Sequence, residues 1–229
     1  MKTLLLDLDG TLLGSRKRLH VSFVWGTLWW LARRRVGPVK ALRALHELRM
    51  GIENHEPGIL NSRRAARRFA RVLGVDDERG YELAVRLTND VFPGLERCFF
   101  PIAEAQEFIG WAQQRYPLIL ATNAVWPRPI VELRVRWAGL DPGIFRFIAN
   151  NDVMHHVKPS VEYYQELIDL LKLTPGEALM IGDSVRKDLP ARKAGIPVFL
   201  LSRESEPVEV EDRVWRGDFG ALKKLLEKK

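Results

Sequence analysis

The chain opens on an apolar run that two acids interrupt, in the stretch MKTLLLDLDGTLL. A continuous apolar run that ends at a turn residue is typical of a strand covered on both faces of a parallel sheet, and Gly10 supplies the turn. Asp7 and Asp9 lie two positions apart, so on a strand they would project to the same side. A secretory signal peptide would need about 7 to 15 uninterrupted apolar residues, which this run lacks. The pattern predicts a buried strand with two carboxylates beyond its carboxyl end, where α/β sheets bind ligands.

Beyond this strand the pattern changes twice. Residues 20–92 carry apolar positions at helical spacing, with breaks at Gly37-Pro38, Pro57-Gly58 and Gly74. From residue 99 onward helical and strand patterns alternate, which implies a parallel sheet with right-handed crossovers. The predicted helices cover 103–116, 129–140, 161–173, 189–195 and 218–229. The predicted strands cover 117–123, 145–151, 178–184 and 198–202. The acidic segment 203–212 is interpreted as a surface loop or a solvated edge.

These patterns predict an α/β fold with a doubly wound parallel-sheet (Rossmann-like) core and a smaller all-helical cap domain. The core takes residues 1–14 and 97–229. The cap takes residues 15–96, inserted directly after the first strand.

The composition is that of a folded soluble protein. With 229 residues, 46% of them hydrophobic and 28% charged, the chain can bury a substantial core and shows no sign of disorder. The single cysteine, Cys98, excludes an internal disulfide and suits a reducing cytoplasm, where we expect the protein. Its neighbours Phe99 and Phe100 indicate packing rather than a catalytic thiol. We expect a monomer or a homodimer.

The tryptophan-rich segment 19–32 is the most apolar part of the insert. It falls short of the ~18 residues that a membrane-spanning helix requires. Projected on a helix, its apolar side chains point in all directions, as they would in a helix buried on several sides. A partner surface and membrane contact are the alternatives, but a helix at a membrane surface should have one polar face. We therefore expect this helix to lie in the core of the cap, and we do not expect membrane contact.

The insert is strongly basic. Residues 33–71 contain eleven Lys or Arg and three Glu, a surplus of eight against a net charge of +7 for the whole chain. This charge fits a solvated helix face, a cap that closes over an anionic substrate, or nucleic-acid contact. No recognition motif accompanies the charge, so no specific nucleic acid is expected. Five arginines fall within about 140° of a helical projection, with apolar residues opposite: Arg63, Arg64, Arg67, Arg68 and Arg71.

Four separated stretches place polar residues at the ends of predicted strands or in the loops that follow. A parallel topology would bring them together at one edge of the sheet. The sequence contains no G-x-x-x-x-G-K-[ST] and no G-x-G-x-x-G that opens a helix after a strand, so nucleotide-triphosphate and dinucleotide sites have no support. The four stretches are Asp7-Leu8-Asp9-Gly10-Thr11, Thr122-Asn123, Lys158-Pro159, and Gly182-Asp183-Ser184 with Asp188.

The residue types suit phosphoryl transfer. A carboxylate that attacks a phosphate dianion approaches a like charge, so a divalent cation and a lysine such as Lys158 are needed to offset the repulsion. Mg²⁺ prefers oxygen ligands, which Asp7 and Asp183 can provide. Covalent catalysis by one aspartate divides the displacement into two steps, and Asp9 could protonate the leaving alcohol and then activate water.

The remaining polar residues fit phosphate binding. Thr122 can donate its hydroxyl to a phosphoryl oxygen, Asn123 begins a loop with free N–H groups, and Gly10 lets the backbone approach the phosphate closely. His155 and His156 lie near Lys158 but have no partners at metal-ligand spacing, so roles in the loop are expected.

This set of motifs resembles the haloacid dehalogenase-like hydrolase superfamily, and the helical insert after the first strand resembles its phosphoglycolate phosphatase and phosphomutase branch. The resemblance implies an Mg²⁺-dependent phosphatase that hydrolyses a small phosphorylated metabolite through an aspartyl-phosphate. A phosphomutase with the same intermediate, and a non-catalytic binding protein that uses the basic, Trp-rich insert, are the alternatives.

The resemblance also implies roles for residues of this chain. Asp7 corresponds to the nucleophile and first metal ligand, and Asp9 to the general acid/base, whose backbone carbonyl would help hold the metal. Asp183 corresponds to the metal carboxylate. The phosphate binders would be Thr122 and Lys158, together with Asn123 and Gly10, and the supporting residues would be Thr11, Ser184 and Asp188.

Overall fold

The computed structural model describes residues 1–53, 56 and 58–228. The strands of the described residues are β1 (Thr3–Leu6), β2 (Leu13–Ser15), β3 (Phe99–Pro101), β4 (Leu118–Leu120), β5 (Phe145–Ile148), β6 (Ala178–Gly182), β7 (Val198–Leu201), β8 (Val208–Glu211) and β9 (Val214–Gly217).

Helices occupy most of the rest of the described chain. The α-helices are α1 (Leu19–Ala32), α2 (Pro38–Glu53), α3 (Asn61–Leu73), α4 (Asp77–Val91), α5 (Ala103–Ala112), α6 (Arg128–Trp137), α7 (Val161–Leu171), α8 (Val185–Asp188) and α9 (Phe219–Glu227). Short 3₁₀-helices cover Phe92–Cys98, Pro142–Ile144, Pro175–Glu177 and Leu189–Ala194.

A seven-stranded sheet in the order β5-β4-β1-β6-β7-β9-β8 forms the centre of the protein. All neighbouring strands are parallel except β8, which pairs antiparallel with β9 at the edge. Leu4 and Leu6 of β1 pack into one hydrophobic cluster, whereas Leu5 packs into another. Because side chains alternate along a strand, β1 is covered on both faces, and the predicted α/β fold is confirmed.

Several short elements escaped the sequence analysis. β2 and β3 have three residues each and pair as a separate antiparallel sheet, too short to show a period of two. β9 also lacks a clear pattern. The segment 189–195, predicted as an α-helix, is a 3₁₀-helix that follows the short helix α8. The acidic segment was correctly predicted to include a solvated edge, since all residues of β8 are exposed.

Helices α1 to α4 follow β2 and precede β3 in the chain. They enclose a small hydrophobic cluster of their own, which includes Trp30, Leu31, Ala44, Phe69 and Leu87. The predicted breaks after α1 and after α3 are present, whereas Pro57 lies outside the described residues. The helices fall inside the predicted cap, and the boundaries at 15–96 stay a prediction.

The prediction that the tryptophan-rich helix is buried on several sides is wrong. In α1, Thr27, Trp30 and Leu31 are buried, but Trp25 is 68% and Trp29 62% exposed. A helix that is apolar all round gives no periodic signal for which side meets the protein, so the projection could not locate the exposed face. No helix of the described residues is both long and apolar enough to cross a bilayer.

The five arginines that project on one face of α3 do not all face solvent. Arg64 is only 1% exposed. Its guanidinium donates to the carbonyl oxygens of Gly51, Ile59, Ile52 and His155 and to Oδ1 of Asn61, at 2.6 to 3.2 Å. These contacts engage every donor of the side chain, which is why a cation is tolerated at a buried position. Arg63, Arg67 and Arg68 instead form ion pairs with Glu78, Asp77 and Glu47.

Candidate active site

The site lies at the carboxyl edge of the sheet, where three neighbouring strands end. β1 pairs in parallel with β4 on one side and β6 on the other, and Leu6 is in register with both Leu120 and Ile181. The loops that leave these strands carry Asp7, Thr122 and Asp183, respectively. The shared register therefore brings Asp7 next to residues that are more than a hundred positions away in the chain.

A buried lysine lies at the centre of this edge. Nζ of Lys158 is 2.9 Å from Oδ1 of Asp7 and 2.6 Å from Oδ1 of Asp188, and all three side chains are almost completely buried. Burial by itself lowers the pKa of Lys158, but the two carboxylates outweigh it and raise that pKa above its usual value. Lys158 is therefore held as a cation between two acids.

The carboxyl of Asp7 has a strongly raised pKa. Burial raises the pKa of Asp7 to about 6, Lys158 opposes this shift, and the nearby charges of Asp188 and Asp9 add to it. Its backbone N–H donates to the carbonyl oxygen of Ile181 at 2.9 Å, which fixes the residue against β6. An ionised carboxylate is costly in this position, so the arrangement favours a further positive charge next to Asp7.

A third acid completes the group. Ligand oxygens of Asp7, Asp183 and Asp188 all lie within 4.8 Å of one another. Asp183 contacts solvent, yet partial burial raises its pKa and the charge of Asp188 raises it further. Gly10 makes this packing possible, because a Cβ at this residue would lie 2.1 Å from Oδ2 of Asp183 and its φ is +82°.

These residues fit a divalent cation of the Mg²⁺ type. Carboxylate oxygens are the donors that such ions prefer, and three crowded acids with one ammonium leave negative charge to be offset. Asp7 and Asp183 are the members best placed to bind it. Asp188 is engaged on both oxygens, one by Lys158 and the other by the backbone N–H of Ser184 at 3.0 Å, so it supports the lysine instead.

The side chain of Asp9 is bonded to an arginine that was not among the predicted site residues. Oδ1 of Asp9 accepts a hydrogen bond from Nη2 of Arg134 on α6. Arg134 is 2% exposed, and within the described residues its Nε and Nη1 have no hydrogen-bond partner. A signal for it was present: Arg134 shares the buried face of α6 with Ile130 and Val131, where a charged residue is unusual.

The remaining predicted residues lie around this centre. Thr122 is buried, and its carbonyl oxygen accepts from the hydroxyl of Tyr163 at 2.6 Å. Oδ1 of Asn123 accepts from the backbone N–H of Lys158 at 3.0 Å, which ties the two loops together. Thr11 is also buried, and its hydroxyl has no partner in the part of the chain that is described. Ser184 caps α8 by accepting from the backbone N–H of Lys187.

Helix α3 of the insert is bonded to the same loops. Nδ2 of Asn61 donates to the carbonyl oxygens of Ala124 and His156 at 3.1 and 3.0 Å, and Arg64 reaches the carbonyl of His155. Nδ1 of His155 lies 2.7 Å from Oε1 of Glu166, and neither histidine belongs to the acidic group. The start of α3 therefore sits against the segments that carry Asn123 and Lys158.

This arrangement defines a class: an enzyme with an α/β fold in which carboxylates and a buried lysine meet at the carboxyl edge of a parallel sheet. A family model described as haloacid dehalogenase-like hydrolase matches residues 1–195, so the chain belongs to that family and is a hydrolase. No curated protein sequence matches the chain significantly.

Solved structures of this fold are similar over the whole chain. One is a HAD phosphatase from Thermococcus onnurineus, with 20% identity, a TM-score of 0.61 and coverage of 99% of this chain and 98% of the other. Another is a 2-haloacid dehalogenase from Pseudomonas syringae pv. Tomato DC3000, with 20% identity, a TM-score of 0.67 and coverage of 100% and 99%. A third is a predicted phosphoglycolate phosphatase from Haemophilus somnus 129pt, with 19% identity, a TM-score of 0.57 and coverage of 99% and 98%.

Proposed function

We propose that this protein is an Mg²⁺-dependent phosphatase that hydrolyses a small phosphate monoester through a phosphorylated Asp7. The observation that carries the proposal is the placement of the Lys158 ammonium 2.9 Å from the buried Asp7, in a group that also includes the buried Asp188 and the solvent-exposed Asp183. Attack on a phosphate dianion requires a nucleophilic carboxylate and a fixed cation that offsets the like charges. It also requires further carboxylate oxygens that can bind a divalent cation.

In the first step, an oxygen of Asp7 attacks phosphorus and the bond from phosphorus to the ester oxygen breaks. Lys158 holds the attacking carboxylate in place and offsets the negative charge of the phosphoryl group. Asp9 gives a proton to the leaving alkoxide, which departs as an alcohol. A cation bound by Asp7 and Asp183 would supply further charge neutralisation at the phosphoryl oxygens.

In the second step, water attacks phosphorus of the acyl phosphate, Asp9 takes up the water's proton, and inorganic phosphate leaves with Asp7 restored. Oδ1 of Asp9 is bound to Arg134, so Oδ2 is the oxygen left for both proton transfers. Thr122, Asn123 and the backbone around Gly10 are proposed to hold the phosphoryl group.

Phosphatases and a dehalogenase share this fold, and Asp9 favours the phosphatase. Displacement of a halide leaves a stable anion that needs no proton, whereas an alkoxide needs an acid at the position of Asp9. The same residues would serve a phosphomutase, in which a second substrate hydroxyl replaces water. A small phosphorylated metabolite is the proposed substrate.

The test is hydrolysis of 4-nitrophenyl phosphate and of a panel of metabolite phosphates, each with Mg²⁺ or with EDTA, and of 2-chloropropionate. We expect Mg²⁺-dependent phosphate release that Asp7→Asn abolishes, and no release of chloride. Chloride release, or substantial phosphatase activity in Asp7→Asn, would contradict the proposal. A phospho-Asp7 that resists water but discharges onto a sugar phosphate would identify a phosphomutase.

A further inference from the structure

The exposed side of α1 is an apolar stripe. Val21, Trp25 and Trp29 lie within about 80° of arc on the helix and are 59%, 68% and 62% exposed. Tryptophan side chains are rarely this exposed to solvent, because burying each indole removes a large apolar area from water. We call these three residues the α1 stripe.

The opposite side of α1 is packed on the protein. The ring of Phe23 contacts Trp126 and Phe92, with centroids 5.3 and 6.3 Å apart, and Nε1 of Trp30 donates to Asp90 at 2.7 Å. The expectation of no membrane contact assumed that a helix at a membrane surface has a polar face. α1 needs no such face, because its other side meets protein and not water.

Cations flank the α1 stripe at both ends of the helix, and acids are absent from this part of the sequence. Residues 10–46 contain eight Lys or Arg and no Asp or Glu. Arg16 and Lys17 precede α1, and Arg33 and Arg35 follow it, all four exposed. The guanidinium of Arg33 also lies over the ring of Trp29, 4.6 Å from its centroid. Positive charge therefore stands at both ends of the helix.

From these observations we propose that the α1 stripe, with its flanking cations, docks the protein on an anionic lipid surface. Indole rings partition into the interface between headgroups and acyl chains, and basic residues at both ends of the helix are attracted to acidic headgroups. A second copy fits less well, since two such faces would bring like charges together. A nucleic acid is also less suited, because the stripe lies on a convex helix rather than in a groove that could follow a strand.

The test is co-sedimentation of the whole protein with vesicles of phosphatidylcholine alone and of phosphatidylcholine with 30% phosphatidylglycerol. We expect binding to the anionic vesicles that weakens as salt is raised, and little binding to the neutral ones. Trp25→Ala with Trp29→Ala should weaken binding at least about tenfold. Arg33→Gln with Arg35→Gln should weaken it about twentyfold.

Matched controls separate docking from general stickiness. Leu170→Ala removes an exposed apolar side chain from α7. Arg146→Gln with Lys193→Gln removes two exposed cations that lie outside helices α1 to α4. Both control variants should bind vesicles as the wild type does. Circular dichroism should show every variant folded, because the altered side chains are exposed.

Several results would overturn the proposal. They are no binding to anionic vesicles at low salt, equal binding to neutral vesicles, or equal losses in the control variants. A dimer in sedimentation equilibrium that Trp25→Ala with Trp29→Ala dissociates would assign the stripe to a second copy. Tighter binding to single-stranded nucleic acid than to vesicles would assign the stripe to nucleic acid.

Discussion

Lys158 illustrates how much a single buried charge depends on its neighbours. Its ammonium contacts Asp7 and Asp188, and each of these acids would be an uncompensated buried charge without it. All three residues were predictable as polar positions at the ends of strands or in the segments that follow. The bond between Lys158 and Asp188 was not, because it depends on how the loop before α7 packs against α8.

We expect Lys158→Met to destabilise the fold by about 3 kcal/mol, because it leaves two buried carboxyls without their cation. Adding Asp188→Asn should restore part of the loss, so the two effects should not add. Urea unfolding of the wild type, both single variants and the double variant measures this coupling. Simple additivity of the two single effects would show that the ion pair has no energetic role.

Arg134 is a positioning residue rather than a catalytic one, since among the described residues it bonds to Asp9 and not to those proposed to hold phosphate. We expect Arg134→Gln to lower kcat/KM for an alkyl phosphate about tenfold more than for 4-nitrophenyl phosphate. The alkyl ester needs a proton on its leaving group, whereas nitrophenolate leaves without one.

Steady-state kinetics with both esters measure this selectivity for Arg134. Arg134→Lys should recover part of the loss, and Arg136→Gln, an exposed arginine on the same helix, should behave as the wild type. Equal losses for both esters in Arg134→Gln would mean that the arginine only supports the fold.

At the scale of elements, continuous apolar strands and helices with a clear period were predictable, whereas short strands of mixed composition were not. β1 and β6 are continuous apolar strands, and α7 and α9 follow the helical period, so sequence located them within a few residues. β2 and β3 have three residues each and pair with each other although the whole insert separates them in the chain, and the four residues of β9 mix apolar and polar types without alternation. The exposed face of α1 had no polar signal, since its neighbours decide which side is covered.

Helix α3 joins the insert to the site loops through Asn61 and Arg64. We expect Arg64→Met to lower the free energy of unfolding by at least about 2 kcal/mol, because it removes the donors of several buried carbonyl groups. Arg71→Met, at an exposed position of the same helix, should stay within about 0.5 kcal/mol of the wild type. Denaturant unfolding of both variants checks this, and equal effects would contradict the anchoring role.

At the scale of the whole molecule, the parallel sheet explains why residues from four parts of the chain meet. The alternation of helices and strands implied a parallel sheet, and the observed order β4-β1-β6 places the loops after these strands side by side. The pairing of Asp9 with Arg134 needed the three-dimensional packing of α6, which no local spacing encodes.

The acidic group should make stability depend on pH and on metal. The pKa of Asp7 is raised to about 6 in the folded protein, above the unfolded value of about 3.9, so its stabilising contribution is complete below pH 4 and is lost as the pH rises through 6. Mg²⁺ should offset this loss, because protons and metal compete for the same oxygens.

Thermal unfolding with EDTA or with Mg²⁺, at pH 5 and at pH 8, measures this linkage. We expect a larger rise in Tm from Mg²⁺ at pH 8 than at pH 5, and a much smaller rise in Asp183→Asn. The same rise at both pH values would contradict the competition between protons and metal.

The exposed strand β8 has a consequence for how the molecule behaves in concentrated solution. Its outer side presents backbone groups that no strand of the sheet uses, and Glu209 and Glu211 alternate there with the open side chains of Val208 and Val210. Glutamate side chains at the edge of a sheet disfavour the pairing of a strand from a second chain with that edge. Replacing Glu209 and Glu211 with apolar residues would turn the edge strand β8 into a template for edge-to-edge aggregation.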